Sequence, residues 1–342
     1  MKSALMTQPG NFEVHEVKKP SIISEKDVLL RIHTAGICGS DLHYFRTGRI
    51  GNEIVKYPFS MGHECTATVE EVGSDVIRVQ SGDRVVVEPA IPCINCDQCQ
   101  TGRFHTCRNM NFMGCPGQLE GCFSEYIVMP ESCCFLLPDD MPLKEAVFCE
   151  PLSIALHSYQ FIQQTQPKRI GILGAGPIGI STLLVALNKG HKEFFMTDKL
   201  DARLEHAKSF GAGYTANPDK TDIVKTVPFE PDVVFECCGQ EDAVIQATSI
   251  LKPGGHLVVT GIPESDNIRF PIHELRRKEI SVYNVRRQNK MMPDAIDMGK
   301  KLINQIKLLI THIYSIDEIQ EAFQHTATYN DGVMKAVIQF YF

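Results

Sequence analysis

RIGILGAGPIGISTLLVALNKG, residues 169–190, is the stretch on which the fold turns. Its first part, RIGILGAG (169–176), is a short apolar run rich in β-branched residues, and it reads as a buried strand. PIGISTLLVALNKG (177–190) reads as a helix opening on proline, the residue best suited to a first helical position. Between them lies Gly174-x-Gly176-x-x-Gly179. Alone that string is weak, but at the junction of a strand and a helix it acquires a mechanism. Gly174 permits the tight turn, Gly176 lets a pyrophosphate approach the backbone, and Gly179 lets the helix pack close to the strand. Pro177 opens the helix without an N–H of its own, and the free N–H groups from Ile178 onward face the phosphates. Asp198 follows 19 residues after Gly179. A carboxylate there binds ribose hydroxyls and repels a 2′-phosphate, which favours NAD over NADP, although Lys199 and Arg203 stand close by. Gly174, Gly176, Pro177, Ile178, Gly179, Asp198 and Arg203 are therefore the candidate cofactor-binding residues.

Working outward, the alternation continues. EFFMTD (193–198) reads as a strand and DARLEHAKSFGA (201–212) as a helix ended by Gly211. PDVVFECCG (231–239), a helix near 240–251, GGHLVVTGI (254–262) and ISVYNV (280–285) extend the pattern. This is how a doubly wound parallel sheet looks in sequence, and it sets the class as α/β. Before about residue 150 the texture is β-like instead: DVLLRIHTAG (27–36), ECTATVEEVG (64–73) and GDRVVVEPA (82–90), each closed by Gly or Pro. After residue 285 the spacing predicts a helix near 294–306. A second helix opens at Ser315 with Glu318 as a capping box, and VMKAVIQFYF (333–342) makes a final strand. The expected organisation is a nucleotide domain over 154–288 inserted between two pieces of another, 1–153 and 289–342.

The chain has 342 residues, room for about two domains. A net charge of −7, with Arg and Lys scattered, excludes a basic nucleic-acid-binding face. No run approaches the ~20 apolar residues of a membrane span, and the start MKSALMTQPG lacks an apolar core of signal-peptide length. Thirteen cysteines, an odd number, argue for reduced thiols in the cytoplasm and for metal binding.

PCINCDQCQTGRFHTC (92–107) spaces Cys93, Cys96, Cys99 and Cys107 as four thiolates with no open position, the mark of structural zinc. An iron–sulfur cluster competes, since CxxCxxC also begins ferredoxin motifs. There the fourth cysteine comes after three residues and precedes proline, whereas Cys107 comes after seven and precedes Arg108. Unligated cysteines are the remaining reading. The chemistry needs an open site, and its candidates lie in GICGSDLHYF (36–45), MGHECTATVEEVG (61–73) and CEPLSIALHS (149–158).

These motifs, taken in order with GDRV, the cysteine loop, GAGPIG and FECCG, resemble the zinc-dependent medium-chain alcohol dehydrogenases, within them the sorbitol/polyol branch. The resemblance spans essentially the whole chain. It implies a GroES-like, mostly-β catalytic domain around an inserted Rossmann domain, two zinc ions per subunit, and a homodimer or homotetramer. It implies Cys38 and His63 as ligands of a catalytic zinc, with a glutamate third. Glu64 is the first choice and Glu150 the second, bridging through water; Cys149 is less favoured than Glu150 because the family motif centres on EPL. Ser40 and His43 fall where the family places a proton relay, and Tyr44 where a tyrosine lines the substrate pocket. In YNVRRQN (283–289), Arg286 matches a substrate-binding arginine, but Arg287 replaces the family's tyrosine. A second guanidinium suits a carboxylate or phosphate, or else faces outward or an interface. The expected reaction is NAD-linked oxidation of a secondary alcohol of a small-molecule polyol of sorbitol, xylitol or iditol type. The alternatives are an anionic sugar derivative, such as an aldonate or polyol phosphate, and a non-catalytic zinc-stabilised NAD-binding protein.

Overall fold

The computed structural model describes residues 1–341; Phe342, the end of the expected final strand, lies outside them. The chain divides into two compact units: Met1–Glu150 with Met292–Phe342, and Pro151–Met291.

The second unit is built on six parallel strands in the order Tyr214–Ala216, Glu193–Thr197, Arg169–Leu173, Val233–Glu236, His256–Val259, Ser281–Asn284. Arg169–Leu173 and Val233–Glu236 lie at the centre, where the order reverses. Their side chains after Arg169 are all buried, which is why both read as continuous apolar runs rather than alternating ones. The helices Pro177–Asn188 and Glu241–Ile250 pack on this sheet. Two elements had no signal above background. Tyr214–Ala216 is only three residues long, and the Ile272–Lys278 helix has too few apolar positions to show a period.

In the first unit, a seven-stranded sheet centres on Asp27–Gly36. Glu64–Val72 pairs antiparallel along one side. Along the other side, Tyr126–Pro130 pairs with the first half of the strand and Lys335–Gln339 with its end. Helix Gly39–Thr47 starts where the central strand stops, and the Ile319–Thr328 helix packs against it. Phe323 is the contact: its ring centroid lies 4.5 Å from Phe12, 5.2 Å from Phe45 and 5.5 Å from Phe123. Such ring pairs each add about 0.5–1.5 kcal/mol beyond the area they bury. The capping box at Ser315 forms, with its N–H donated to Glu318 Oε2 at 2.7 Å, but its first turn is a 3-10 turn that runs into the α-helix. The helix expected near 294–306 is two, Met292–Lys301 and Ile303–Leu309, because Leu302 leaves helical geometry at φ −99°, ψ 16°. No helix among the described residues is long and apolar enough to cross a membrane.

Candidate metal centre and nucleotide site

Three strand ends converge on Gly36. It pairs with Glu64 on one side and with Val337 on the other. Two residues on, Cys38 caps the Gly39–Thr47 helix, its N–H donated to Asp41 Oδ2 at 2.9 Å. The same fully buried Asp41 turns its other oxygen to His63 Nδ1 at 3.4 Å. The helix cap thus fixes both a thiol and an imidazole. A carboxylate behind a ligating histidine sets its tautomer and raises its basicity.

Cys38, His63 and Glu64 each offer one ligand atom, all within 4.8 Å of one another. A thiolate, an imidazole and a carboxylate are donors zinc accepts, and three of them leave a position open. The donor set therefore fits a reactive zinc. Burial opposes a charge on His63, yet the Asp41 carboxylate and the Cys38 sulfur carry its pKa well above the usual value. A metal would displace that proton, since it binds the neutral ring.

Glu150 is buried near this group but is not one of the three gathered side chains. Burial first, then the Glu64 carboxylate, pushes its carboxyl up to about 8. Burial alone pushes the neighbouring Cys149 thiol up to about 12, which makes it an inert core residue. Ser40 and His43 are half-buried on the helix that Cys38 caps. Tyr44, one residue on, is buried, with its hydroxyl 3.9 Å from Cys115 Sγ.

Sequence reasoning missed Lys335. It is 1% exposed, and its ammonium donates to Ile37 O at 3.0 Å and pairs with Glu64 Oε2. Burial disfavours its charge, but Glu64, Cys38 and Glu150 together raise its pKa above the ordinary lysine value. Lys335 therefore carries a full positive charge beside two candidate ligands. The contact explains Gly36: a Cβ there would overlap the Glu64 carboxylate and come 3.0 Å from Lys335 Cε. One signal was available, a lysine at the head of the apolar run AVI in the strand KAVIQ. Asp41 had a signal too, since it stands three residues after a helix-capping position.

The second cluster is Cys93, Cys96, Cys99 and Cys107, again within 4.8 Å of one another. Cys93 N–H donates to Cys107 Sγ at 3.2 Å. Backbone N–H groups of Arg108 and Cys99 pull the Cys96 thiol down to about 6, while burial pushes Cys99 up to about 12. Four converging sulfurs, one already thiolate-prone, fit a closed tetrahedral zinc. Arg108 Nη2 holds Asp97 Oδ2 at 2.9 Å across the loop. Cys115 lies outside this cluster, beside Tyr44.

In the second unit, Gly174 has φ +102°, and its N–H donates to Thr197 O at 2.8 Å. A side chain at Gly179 would overlap the Gly174 carbonyl, so helix and turn come as close as the motif requires. Gly176 caps the helix, Pro177 and Ile178 follow half-buried, and a Cβ on Gly176 would lie 3.3 Å from Arg203 Nη1. Asp198 accepts the Ala175 N–H at 2.8 Å and the Leu200 N–H at 2.9 Å, so it also braces the glycine turn. Arg286 is exposed; Arg287 is half-buried and adopts φ +51°, strained for a non-glycine residue.

Residues 24–139 match the alcohol dehydrogenase GroES-like domain family, and residues 177–325 the zinc-binding dehydrogenase family. The chain is 32% identical over 343 residues to a sorbitol dehydrogenase of Bacillus subtilis, covering 99% of this chain and 97% of that one. It is 35% identical over 312 residues to an L-idonate 5-dehydrogenase of Vitis vinifera, covering 88% and 85%. Galactitol-1-phosphate dehydrogenase from Escherichia coli superposes with a TM-score of 0.89 at 28% identity, covering 99% of this chain and 100% of that one. With both family matches in sequence order and the identity sustained over nearly the full length, this chain belongs to the zinc-dependent medium-chain alcohol dehydrogenases, in their polyol dehydrogenase branch, and is an oxidoreductase of the kind that uses zinc and a nicotinamide cofactor.

Proposed function

We propose that the protein reversibly oxidises a secondary alcohol of a neutral polyol to a ketose, with NAD as hydride acceptor and two zinc ions per subunit. The observation that carries this reading is the three-donor group of Cys38, His63 and Glu64, kept apart from a closed four-cysteine cluster. When bound, a zinc ion supplies the Lewis acid that lowers the pKa of the substrate hydroxyl, and the nicotinamide supplies the hydride acceptor. The rest falls to the chain. Cys38, His63 and Glu64 hold the metal, Asp41 orients His63, and Lys335 compensates the carboxylate of Glu64. Ser40 and His43 take the released proton toward water, a task suited to a hydroxyl and an imidazole because each can accept one proton and donate another. Tyr44 presents an apolar ring wall to the carbon chain. Glu150, buried beside this group, is the second choice for completing the metal shell, through a water.

Gly174, Gly176, Pro177, Ile178, Gly179, Asp198 and Arg203 hold the dinucleotide, and Asp198 selects NAD by repelling a 2′-phosphate. A second reading, an anionic sugar derivative, is favoured by adjacent Arg286 and Arg287, since a guanidinium pair matches a carboxylate or phosphate. Rates of NADH formation across xylitol, sorbitol, aldonates and polyol phosphates separate the two. The neutral polyols are expected to give the highest kcat/KM, with Arg287→Tyr changing it by less than about tenfold. Turnover of anionic substrates alone, lost in Arg287→Tyr, would replace the first reading by the second.

A further inference from the structure

Glu236 ends one of the two central strands of the parallel sheet, level with Leu173 on one side and Val259 on the other. Its side chain is completely buried. One carboxylate oxygen is well occupied: Oε1 accepts the N–H of Cys238 at 2.8 Å, the N–H of Gly239 at 2.7 Å and the thiol of Cys238 at 3.1 Å. The other, Oε2, is buried and has no hydrogen-bond partner. Among the described residues no lysine, arginine or histidine pairs with this carboxylate. That is unusual, because a buried carboxylate ordinarily finds a cation or a full set of donors.

The surroundings are built to keep the oxygen there. Gly261 lies against it, and a Cβ at that position would come 2.6 Å from Oε2. The turn that Glu236 pins, Cys237–Gly239, packs on the first glycine of the fingerprint. A Cβ on Gly174 would meet Cys238 Cβ at 3.0 Å and Cys237 C at 3.2 Å. The unpartnered oxygen therefore belongs to the carboxyl edge of the sheet, between the loops that leave two neighbouring strands. In sheets of this order a dinucleotide lies across that edge at the point where the strand order reverses. Asp198 marks the adenosine side, beyond Arg169–Leu173. Glu236 stands on the opposite side, that of the nicotinamide.

We propose that Glu236 supplies the negative charge that makes this site favour the oxidised, cationic nicotinamide over the neutral reduced one. This rests on the reading of the second unit as a nicotinamide dinucleotide site. The two redox forms share every phosphate, ribose and adenine contact and differ at the ring by one positive charge. The three donors on Oε1 favour the carboxylate form of Glu236, and a negative charge at this edge acts on that difference alone. Since affinity for one form relative to the other is what sets the equilibrium of the bound couple, Glu236 tilts it toward the oxidised cofactor.

The test is binding to the zinc-loaded protein and to its Glu236→Gln variant, with NAD, NADH and ADP-ribose titrated separately by calorimetry. Glutamine keeps an acceptor for the Cys238 and Gly239 N–H groups and removes the charge. The ratio Kd(NAD)/Kd(NADH) is expected to rise about fivefold in the variant, with ADP-ribose, which lacks the ring, bound as before. An unchanged ratio, or equal weakening of all three ligands, overturns the proposal and leaves Glu236 a brace for its loop. Should Glu236→Gln fail to fold, the wild-type protein carries the test with benzamide adenine dinucleotide, an isostere of NAD whose ring carries no charge. It is expected to bind about fivefold more weakly than NAD; equal or tighter binding contradicts the charge effect. Wild-type protein that binds neither NAD nor NADH would bring down the cofactor reading itself, a result distinct from an unchanged ratio.

Discussion

Replacing Lys335 by methionine is expected to destabilise the zinc-free protein by about 3–5 kcal/mol, one of the largest single-residue effects in the chain. The reason is the asymmetry of buried ion pairs. Lys335 and Glu64 are both at 1% exposure, so removing the ammonium strands a carboxylate where water cannot reach it. The Ile37 carbonyl loses its donor as well. Replacing both partners by apolar side chains removes the stranded charge, so Lys335→Met combined with Glu64→Leu should recover most of the loss. Urea unfolding monitored in the first unit measures it, through the midpoint at constant slope. A Lys335→Met protein as stable as the parent would mean that Glu64 finds its compensation elsewhere. Zinc should narrow the deficit, because the ion offers Glu64 a second positive partner.

Cys38→Ala is expected to lower kcat/KM on the order of a thousandfold while leaving NAD affinity within about twofold. A Lewis acid worth several kcal/mol of transition-state stabilisation is lost with its ligand. The half of the helix cap made by the Cys38 backbone N–H to Asp41 Oδ2 survives the substitution. Zinc analysis should find one ion fewer per chain. An Ala variant that keeps both ions and most of its rate would remove Cys38 from the metal group.

What was legible in the sequence is what is local in the chain. The glycine turn, its strand and helix, and Asp198 lie within 30 residues, and each element's pattern carries its own physics. The four cysteines of the closed cluster span fifteen residues, so spacing alone gathers them. Cys38, His63 and Glu64 were nameable by resemblance, but no periodicity brings them together. Their meeting depends on the pairing of Gly36 with Glu64 across two strands. Lys335 lies 271 residues from Glu64, and only the return of the last strand beside the central one makes them neighbours. The orphaned oxygen of Glu236 was invisible for a similar reason, because FECCG reads as a strand end whether or not its carboxylate is satisfied. The split at Leu302 has no Gly or Pro at the break itself, and Gly299, three residues earlier, still lies within the first helix.

The most direct measurement is the rate of NADH formation from a polyol, followed together with zinc content as a chelator strips the protein. Two zinc ions per chain are predicted at the start. Activity should fall in proportion to the first ion lost and return when that ion is restored, while the four cysteines keep the second. Full activity after the first ion has gone would contradict the assignment of the chemistry to Cys38, His63 and Glu64.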